Sequence, residues 1–375
     1  MHPVQRAALC LFFASGVTGL VYEVLWLREL ALLIGSTARA SALVLALFFL
    51  GLAIGGRYWG RRAALSHRPL RLYAGLELGI AVGAGAAWGL RDIYAGLYPL
   101  LFEALEGSAL LLLLAKAGVA TALLFPPAFF MGGTLPAISQ YLVRARGQLG
   151  RRVALAYALN TFGAALGAAA AGFYLPAALG FSNTYALTLL ATVALGVFAW
   201  ALSRLEPVQA PTNESAAGVA PIQGALSPAA LRVLAFLSGA LTLGLQVLWT
   251  HMFAQVLQNS VYTFAAILVV FLLALAGGAA ITRMLAPRVA DGQAGLGWLL
   301  LASGLLVAAS PWIFYWATNG LAYLGDGAGW ASYMGEVLGR AALVMGPPAL
   351  ALGIALPWVL GLAEGYSEVT GRSMT

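Results

Sequence analysis

Apolar runs of about 20 residues, the length that crosses a bilayer as a helix, alternate with short polar breaks along the whole chain. They fall at roughly 7–27, 40–57, 71–90, 109–131, 153–175, 183–203, 231–250, 261–283, 296–317 and 338–361. The pattern predicts an all-α polytopic membrane protein with about ten transmembrane helices. The first two runs, Ser15 to Arg62, read as a membrane hairpin: two spans around a short polar turn.

That hairpin recurs. A slide of 223 residues lays Ser15-Gly16 on Ser238-Gly239, Val24-Leu25-Trp26 on Val247-Leu248-Trp249, Phe48 on Phe271, and Leu52-Ala53 on Leu275-Ala276. A second block, PPAFFMGGTLP from Pro126, lies on PPALALGIALP from Pro347 at a slide of 221. Two matches at nearly one offset predict two copies of one membrane unit, an architecture common in transporters. The stretch 206–230 is rich in Pro, Ala and Ser without an apolar period, and reads as a cytoplasmic linker. The expected organisation is 1–205 as a first repeat of six spans, the linker, and 231–375 as a second repeat of four spans with a short polar tail. Both halves then begin on one side of the membrane. The repeat is parallel and major-facilitator-like, although that architecture carries six spans in each half.

Composition agrees with the pattern. The chain is 62% hydrophobic and 9% charged, against about 25% charged in soluble domains. The net charge of +7 comes from arginines gathered in a few loops, so it sets orientation and does not point to nucleic acid. Arg57, Arg61, Arg62, Arg68 and Arg71 follow span two; Arg144, Arg146, Arg151 and Arg152 follow span four; Arg283 and Arg288 follow span eight. The opposite loops hold Asp92, Glu103, Glu106, Asp326 and Glu336. This asymmetry predicts a cytoplasmic N-terminus, and the first run reads as a retained span, not a cleaved signal. The single cysteine, Cys10, excludes a disulfide framework within the chain.

Several stretches together resemble a family. SGVTGLVYEVLWLREL, GSTARASALVLALFFLGLAIGG, PLRLYAGLELGI, MGGTLP and YALNTFGAALGA are similar to the membrane region of bacterial fused major-facilitator/spermidine synthase proteins. The resemblance covers most of 7–205 and, more weakly, 231–361. It implies a polytopic module of the bacterial inner (plasma) membrane. The aminopropyltransferase-like domain that follows in that family has no counterpart in this sequence, so the resemblance implies the membrane part and not synthase chemistry. Handling of a polyamine or its precursor is what the fusion suggests.

Ionisable groups within spans cost about 2.5–3.5 kcal/mol on insertion scales and are candidate functional sites. Glu23, Glu77 and Lys116, the only lysine, lie in predicted spans one, three and four. One reading makes them a charged constellation that binds a cationic amine or carries protons. The other makes them a structural ion pair, Glu23 or Glu77 meeting Lys116 or Arg28. Gln246 takes the place of Glu23 in the second copy, so the halves differ there. Asn160 in span five is a further polar candidate, beside Gly163 and Gly167, whose G-x-x-x-G spacing permits close helix packing. Pro126, Pro127 and Pro136, with Pro347, Pro348 and Pro357 in the second copy, are expected to break their spans and act as hinges. Gly55-Gly56-Arg57 through Arg61-Arg62 resembles the cytoplasmic loop motif of major facilitators without its aspartate. His251 has no accompanying ligand cluster.

The sequence shows no catalytic set, metal spacing or cofactor motif, so no enzyme activity, metal or cofactor is expected. Two functional expectations remain. One is a transporter-like inner-membrane protein handling a small cationic metabolite such as a polyamine. The other is a non-transporting membrane subunit that anchors or scaffolds a partner protein or complex. The expected partners are the lipid bilayer with a small cationic ligand, or another membrane or membrane-bound subunit. Nucleic acid is not among them.

Overall fold

Lipid offers no hydrogen bonds to a backbone, so each apolar run must satisfy its own amides and carbonyls by becoming a helix. The computed structural model describes residues 3–34, 38–144, 149–206, 227–257, 261–285, 292–324 and 329–372. They form α1 (Pro3–Ile34), α2 (Ala38–Leu65), α3 (Pro69–Leu105), α4 (Ala109–Arg144), α5 (Leu149–Phe173), the short α6 (Leu175–Leu179), α7 (Phe181–Ser203), α8 (Pro228–Phe253), α9 (Val261–Leu285), α10 (Gly292–Ala317) and α11 (Trp330–Arg372). Among the described residues there is no strand, and nine helices are long and apolar enough to cross a bilayer. The protein is an all-α, multi-pass membrane protein. Most of the predicted linker, together with Arg146, Gln258, Asn259, Arg288 and Asp326, lies outside the described residues, as do the side chains of Arg144, Arg151 and Arg283.

Each predicted span has its helix, but several helices run well past the apolar run. The chain after span three stays helical through Asp92 and Pro99 to Leu105, then turns at Glu106-Gly107 into α4. Ser108 Oγ accepts the Leu111 amide at the start of that helix. The glycine–arginine motif after span two is not a loop: α2 continues through it to Leu65. Arg62 lies over the Tyr58 ring, 4.6 Å from its centroid. The expected polar tail is likewise helical as far as Arg372. An apolar run marks the membrane crossing, whereas a helix ends only where a capping group or a breaker ends it.

The proline breaks also require correction. α4 is continuous with Pro126, Pro127 and Pro136 inside it, and α11 is continuous with Pro347, Pro348 and Pro357 inside it. Proline removes an amide donor and crowds the preceding turn, but its fixed φ suits a helix. Here the neighbouring helix makes room for it. A Cβ on Gly83 of α3 would stand 2.9 Å from Pro127 N, so the buried Pro127 ring packs where α3 carries no side chain.

The helices pack as two units. The first comprises Met1–Arg144 and Tyr174–Thr212, the second Ala145–Phe173 and Asn213–Thr375. Helix packing therefore places α5 with α8–α11, although it precedes them in sequence. A Cβ on its Gly172 would overlap Ala265 Cβ of α9, and the expected Gly163 and Gly167 are both buried.

Each unit has a close crossing that matches one in the other unit position by position. In the first unit α2 crosses α4 with Gly55 against the Phe129 carbonyl and Gly132 against the Leu52 carbonyl. In the second α9 crosses α11 with Gly278 against the Leu350 carbonyl and Gly353 against the Leu275 carbonyl. These residues correspond at the same slides of 223 and 221. Small residues at a membrane helix crossing let backbones meet directly. The second unit's core gathers around Trp249, Phe253, Phe271, Phe314 and Met345. Along α10, Trp298 near one end and Trp312 and Trp316 near the other are exposed, as expected of aromatic belts at the two lipid–water interfaces.

Candidate functional site: a buried carboxylate in the first unit

Helix geometry selects the polar seam of the first unit. On α1, Ser15, Thr18 and Tyr22 recur at spacings of three and four and so share one face. On α3, Tyr73 and Glu77 are one turn apart, and on α7, Thr184, Thr188 and Thr192 recur every four residues. All are buried.

Glu77 is fully buried, with 0% of its surface exposed. Ser15 of α1 and Tyr73 of α3 are the hydroxyl groups within reach of its carboxylate. Neither carboxylate oxygen closes a hydrogen bond of ordinary geometry, and nor does the Tyr73 hydroxyl. The three threonines avoid this problem by donating to their own helix, Thr188 to the Thr184 carbonyl and Thr192 to the Thr188 carbonyl, both at 2.8 Å. Tyr22 Oη lies 3.3 Å from Thr192 Oγ1. Trp26 Nε1 donates to Tyr185 Oη at 3.2 Å, and Tyr185 donates to the Ala84 carbonyl at 2.7 Å. Next to this pair Trp26, Glu29, Leu30, Ala87, Leu123 and Tyr185 line a cavity of about 10 Å³, room for one water.

Beyond the cavity sits an ion pair that the sequence did not disclose. Arg91 Nη1 donates to Glu29 Oε1 at 3.0 Å, and Nη2 lies 2.9 Å from Asp92 Oδ1. The guanidinium stacks 3.9 Å from the Trp88 ring centroid, and Trp88 in turn packs on Tyr185. Arginine suits this position because its planar group can stack and hydrogen-bond at once.

The sequence-predicted residues do not converge on one point. Glu23 is buried on α1, one residue and therefore about 100° around the helix from Tyr22, off the face that meets Glu77. Lys116 is half-buried on α4, with its ammonium 5.3 Å from the Tyr98 ring centroid. Tyr98 is 21 residues beyond Glu77 along α3, about 31 Å at 1.5 Å per residue. Arg28 lies over the Phe181 ring, 5.8 Å from its centroid. The expected pairing of Glu23 or Glu77 with Lys116 or Arg28 does not form. Among the described residues the ion pairs are Arg91 with Glu29 and Asp92, and Arg340 with Glu336. Gln246 is buried on α8, and Asn160 is half-buried on α5. Both belong to the second unit, whose buried polar side chains include Ser238, Thr282, Ser303 and Ser310. The α7 threonines were legible as a four-residue repeat, hidden because threonine interrupts an apolar run so little. The Glu29–Arg91 contact joins residues 62 apart in sequence and has no local signal.

No family model and no curated protein matches this chain.

Proposed function

We propose that this protein is a carrier of major-facilitator-like design, built from two parallel copies of one membrane unit, that handles a small cationic metabolite such as a polyamine. The observation that carries the reading is the pair of acidic side chains buried in spans, Glu23 and Glu77, neither of them in an ion pair. A buried carboxylate without a counter-charge is costly and is characteristic of ion and substrate paths. The two matching glycine crossings support the repeat. The exposed arginines at the junction of α2 and α3, against Asp92, Glu103 and Glu106 around the α3–α4 turn, support a cytoplasmic N-terminus. The resemblance to the membrane part of the synthase fusions supports a bacterial inner-membrane location and an amine as cargo. In this reading Glu23 meets the amine, and the prolines of α4 and α11 act as hinges.

The test is reconstitution into liposomes with labelled diamines and polyamines, alongside thermal stability measured against the same panel. A ligand at a hundred times its Kd stabilises the folded state by about 2.7 kcal/mol. Uptake and a stability gain, both lost in Glu23→Gln, are the expected result. A parent protein that neither binds nor moves any amine overturns the reading.

One observation favours a second reading, a membrane subunit that anchors a partner. Past Arg91, α3 continues 14 residues to Leu105, about 21 Å, and returns in α4. That hairpin exposes Ile93, Leu97, Leu100, Leu110 and Leu114. Stoichiometric co-purification of a partner that is lost on shortening this hairpin, with no amine flux, would select it.

A further inference from the structure

We infer that the end of α2 is a binding site for the headgroup of an anionic phospholipid, formed by Arg57, Arg61 and Arg62 beside the rings of Tyr58 and Trp59. Such a site needs no cargo and stands apart from the carrier reading.

The first argument is continuity with the lipid-facing surface. Leu50, Ile54, Tyr58, Arg61 and Leu65 recur at spacings of four, four, three and four, so they share one stripe of α2. All five are exposed. Acyl chains cover the apolar part of that stripe, which then runs into guanidinium groups. A ligand lying along it is apolar at one end and anionic at the other. That describes a phospholipid, and not a free phosphate, a nucleic acid or an acidic protein. The arrangement recurs on α7, where Val193, Val197, Trp200 and Arg204 follow at spacings of four, three and four and are all exposed. On both helices an arginine stacks on the aromatic ring four residues before it. Arg62 lies 4.6 Å from the Tyr58 centroid, and Arg204 lies 4.1 Å from the Trp200 centroid.

The second argument is charge and its geometry. Arg57 and Arg61 are one turn apart, where like charges repel, and Arg62 adds a third exposed cation beside them. None of the three is in an ion pair among the described residues. The C-terminal end of the helix offers only about half a negative charge to set against them. Trp59 also faces Arg62, at 5.7 Å from its ring centroid, and both Tyr58 and Trp59 pack on Phe129 of α4. The rings are therefore held in place. A guanidinium lying flat over them keeps its N–H edge for two oxygens of one phosphate. Orientation by positive charge treats lysine and arginine alike, whereas stacking with bidentate bonding requires arginine.

Native mass spectrometry of the full chain in detergent, titrated with phosphatidylglycerol and with phosphatidylcholine of the same acyl chains, tests this directly. The parent should retain phosphatidylglycerol in preference to phosphatidylcholine. Arg62→Gln should weaken the tightest phosphatidylglycerol adduct about fivefold, and Arg57→Gln/Arg61→Gln/Arg62→Gln by roughly tenfold or more. Phosphatidylcholine adducts should not change. Arg62→Lys keeps the charge but not the stacked fork, and should weaken the adduct nearly as much as Arg62→Gln. Arg6→Gln, which removes an exposed arginine from α1, should leave it unchanged. All the replaced side chains are exposed, so the variants should unfold at the parent's midpoint. Equal retention of the two lipids by the parent, or a triple variant that holds phosphatidylglycerol as the parent does, would overturn the inference. So would an Arg6→Gln effect as large as that of Arg62→Gln, or an Arg62→Lys variant that binds like the parent, since either would reduce the site to diffuse positive charge.

Discussion

Replacing Gly132 with alanine probes the reasoning about the glycine crossings most sharply. A Cβ at this position would fall on the Leu52 carbonyl oxygen and stand 2.7 Å from Gly56 N and 2.9 Å from Leu52 C. All three are backbone atoms of α2 and cannot rotate away. Relief comes only by moving α2 from α4. A gap of about 0.5–1 Å already forfeits a quarter to a half of each dispersion contact along the crossing. Overpacking of this kind costs about 1–3 kcal/mol, set against a helix-propensity gain for alanine of up to about 1 kcal/mol. The net expectation is a loss of about 1 kcal/mol, or roughly 2–4 °C in the unfolding midpoint for a unit of this size. The control sits on the same helix: Gly118 has nothing within 4 Å of its would-be Cβ, so Gly118→Ala should be neutral or slightly stabilising. The corresponding pair in the second unit is Gly353→Ala, where Leu275 Cα would lie 2.8 Å away, and Gly346→Ala, where the space is open. Thermal unfolding of the four variants in one detergent is the assay. If Gly132→Ala is as stable as Gly118→Ala, the crossing is not the close contact described, and the positional match between the units loses its physical meaning.

Arg91→Leu should cost about 1–3 kcal/mol, because it strips the half-buried Glu29 of a charged hydrogen bond and removes the guanidinium from the Trp88 face; unfolding midpoints of Arg91→Leu and Glu29→Gln/Arg91→Leu should show the double variant recovering part of the loss. Trp26→Phe and Trp249→Phe should each cost about 1 kcal/mol, since each indole N–H donates across its own unit, to Tyr185 at 3.2 Å and to Ser310 at 3.1 Å; a null effect in both would show that these bonds add nothing net. Pro126→Ala should leave the protein folded and no less stable, because the ring is exposed and the replacement restores an amide donor to a helix that is already continuous; loss of amine flux from that stable variant would assign the proline a hinge role. Glu77→Gln should keep the unfolding midpoint within about 1 kcal/mol of the parent, since neither oxygen closes a hydrogen bond of ordinary geometry and glutamine keeps the shape that faces Ser15 and Tyr73; a loss of several kcal/mol would mean that the charged carboxylate is strongly held by those hydroxyls.

Hydropathy along the chain determined the class of this protein, the number of long helices and their order. The physical reason is that in lipid an apolar run of sufficient length has one low-energy conformation whatever its neighbours are. The repeated blocks carry Gly55, Gly132 and their counterparts at matching offsets, but the sequence read Gly55 as part of a loop motif, and only the packing put these glycines at helix crossings. Burial of Glu23 and Glu77 followed from their positions inside such runs. What surrounds each carboxylate did not, because that depends on which faces of α1, α3 and α7 meet. A shift of one residue, from Tyr22 to Glu23, turns a side chain by about 100° and out of the seam. Only the tertiary structure paired Glu29 with Arg91, kept Lys116 far from Glu77, and packed α5 with the helices that follow it. The local rule for proline failed on α4 for the same reason: the helix holds because Gly83 on another helix leaves space for the Pro127 ring. Helix formation in a bilayer is decided residue by residue along the chain, whereas the partners of a buried polar group are decided by helix faces, which sequence order does not set.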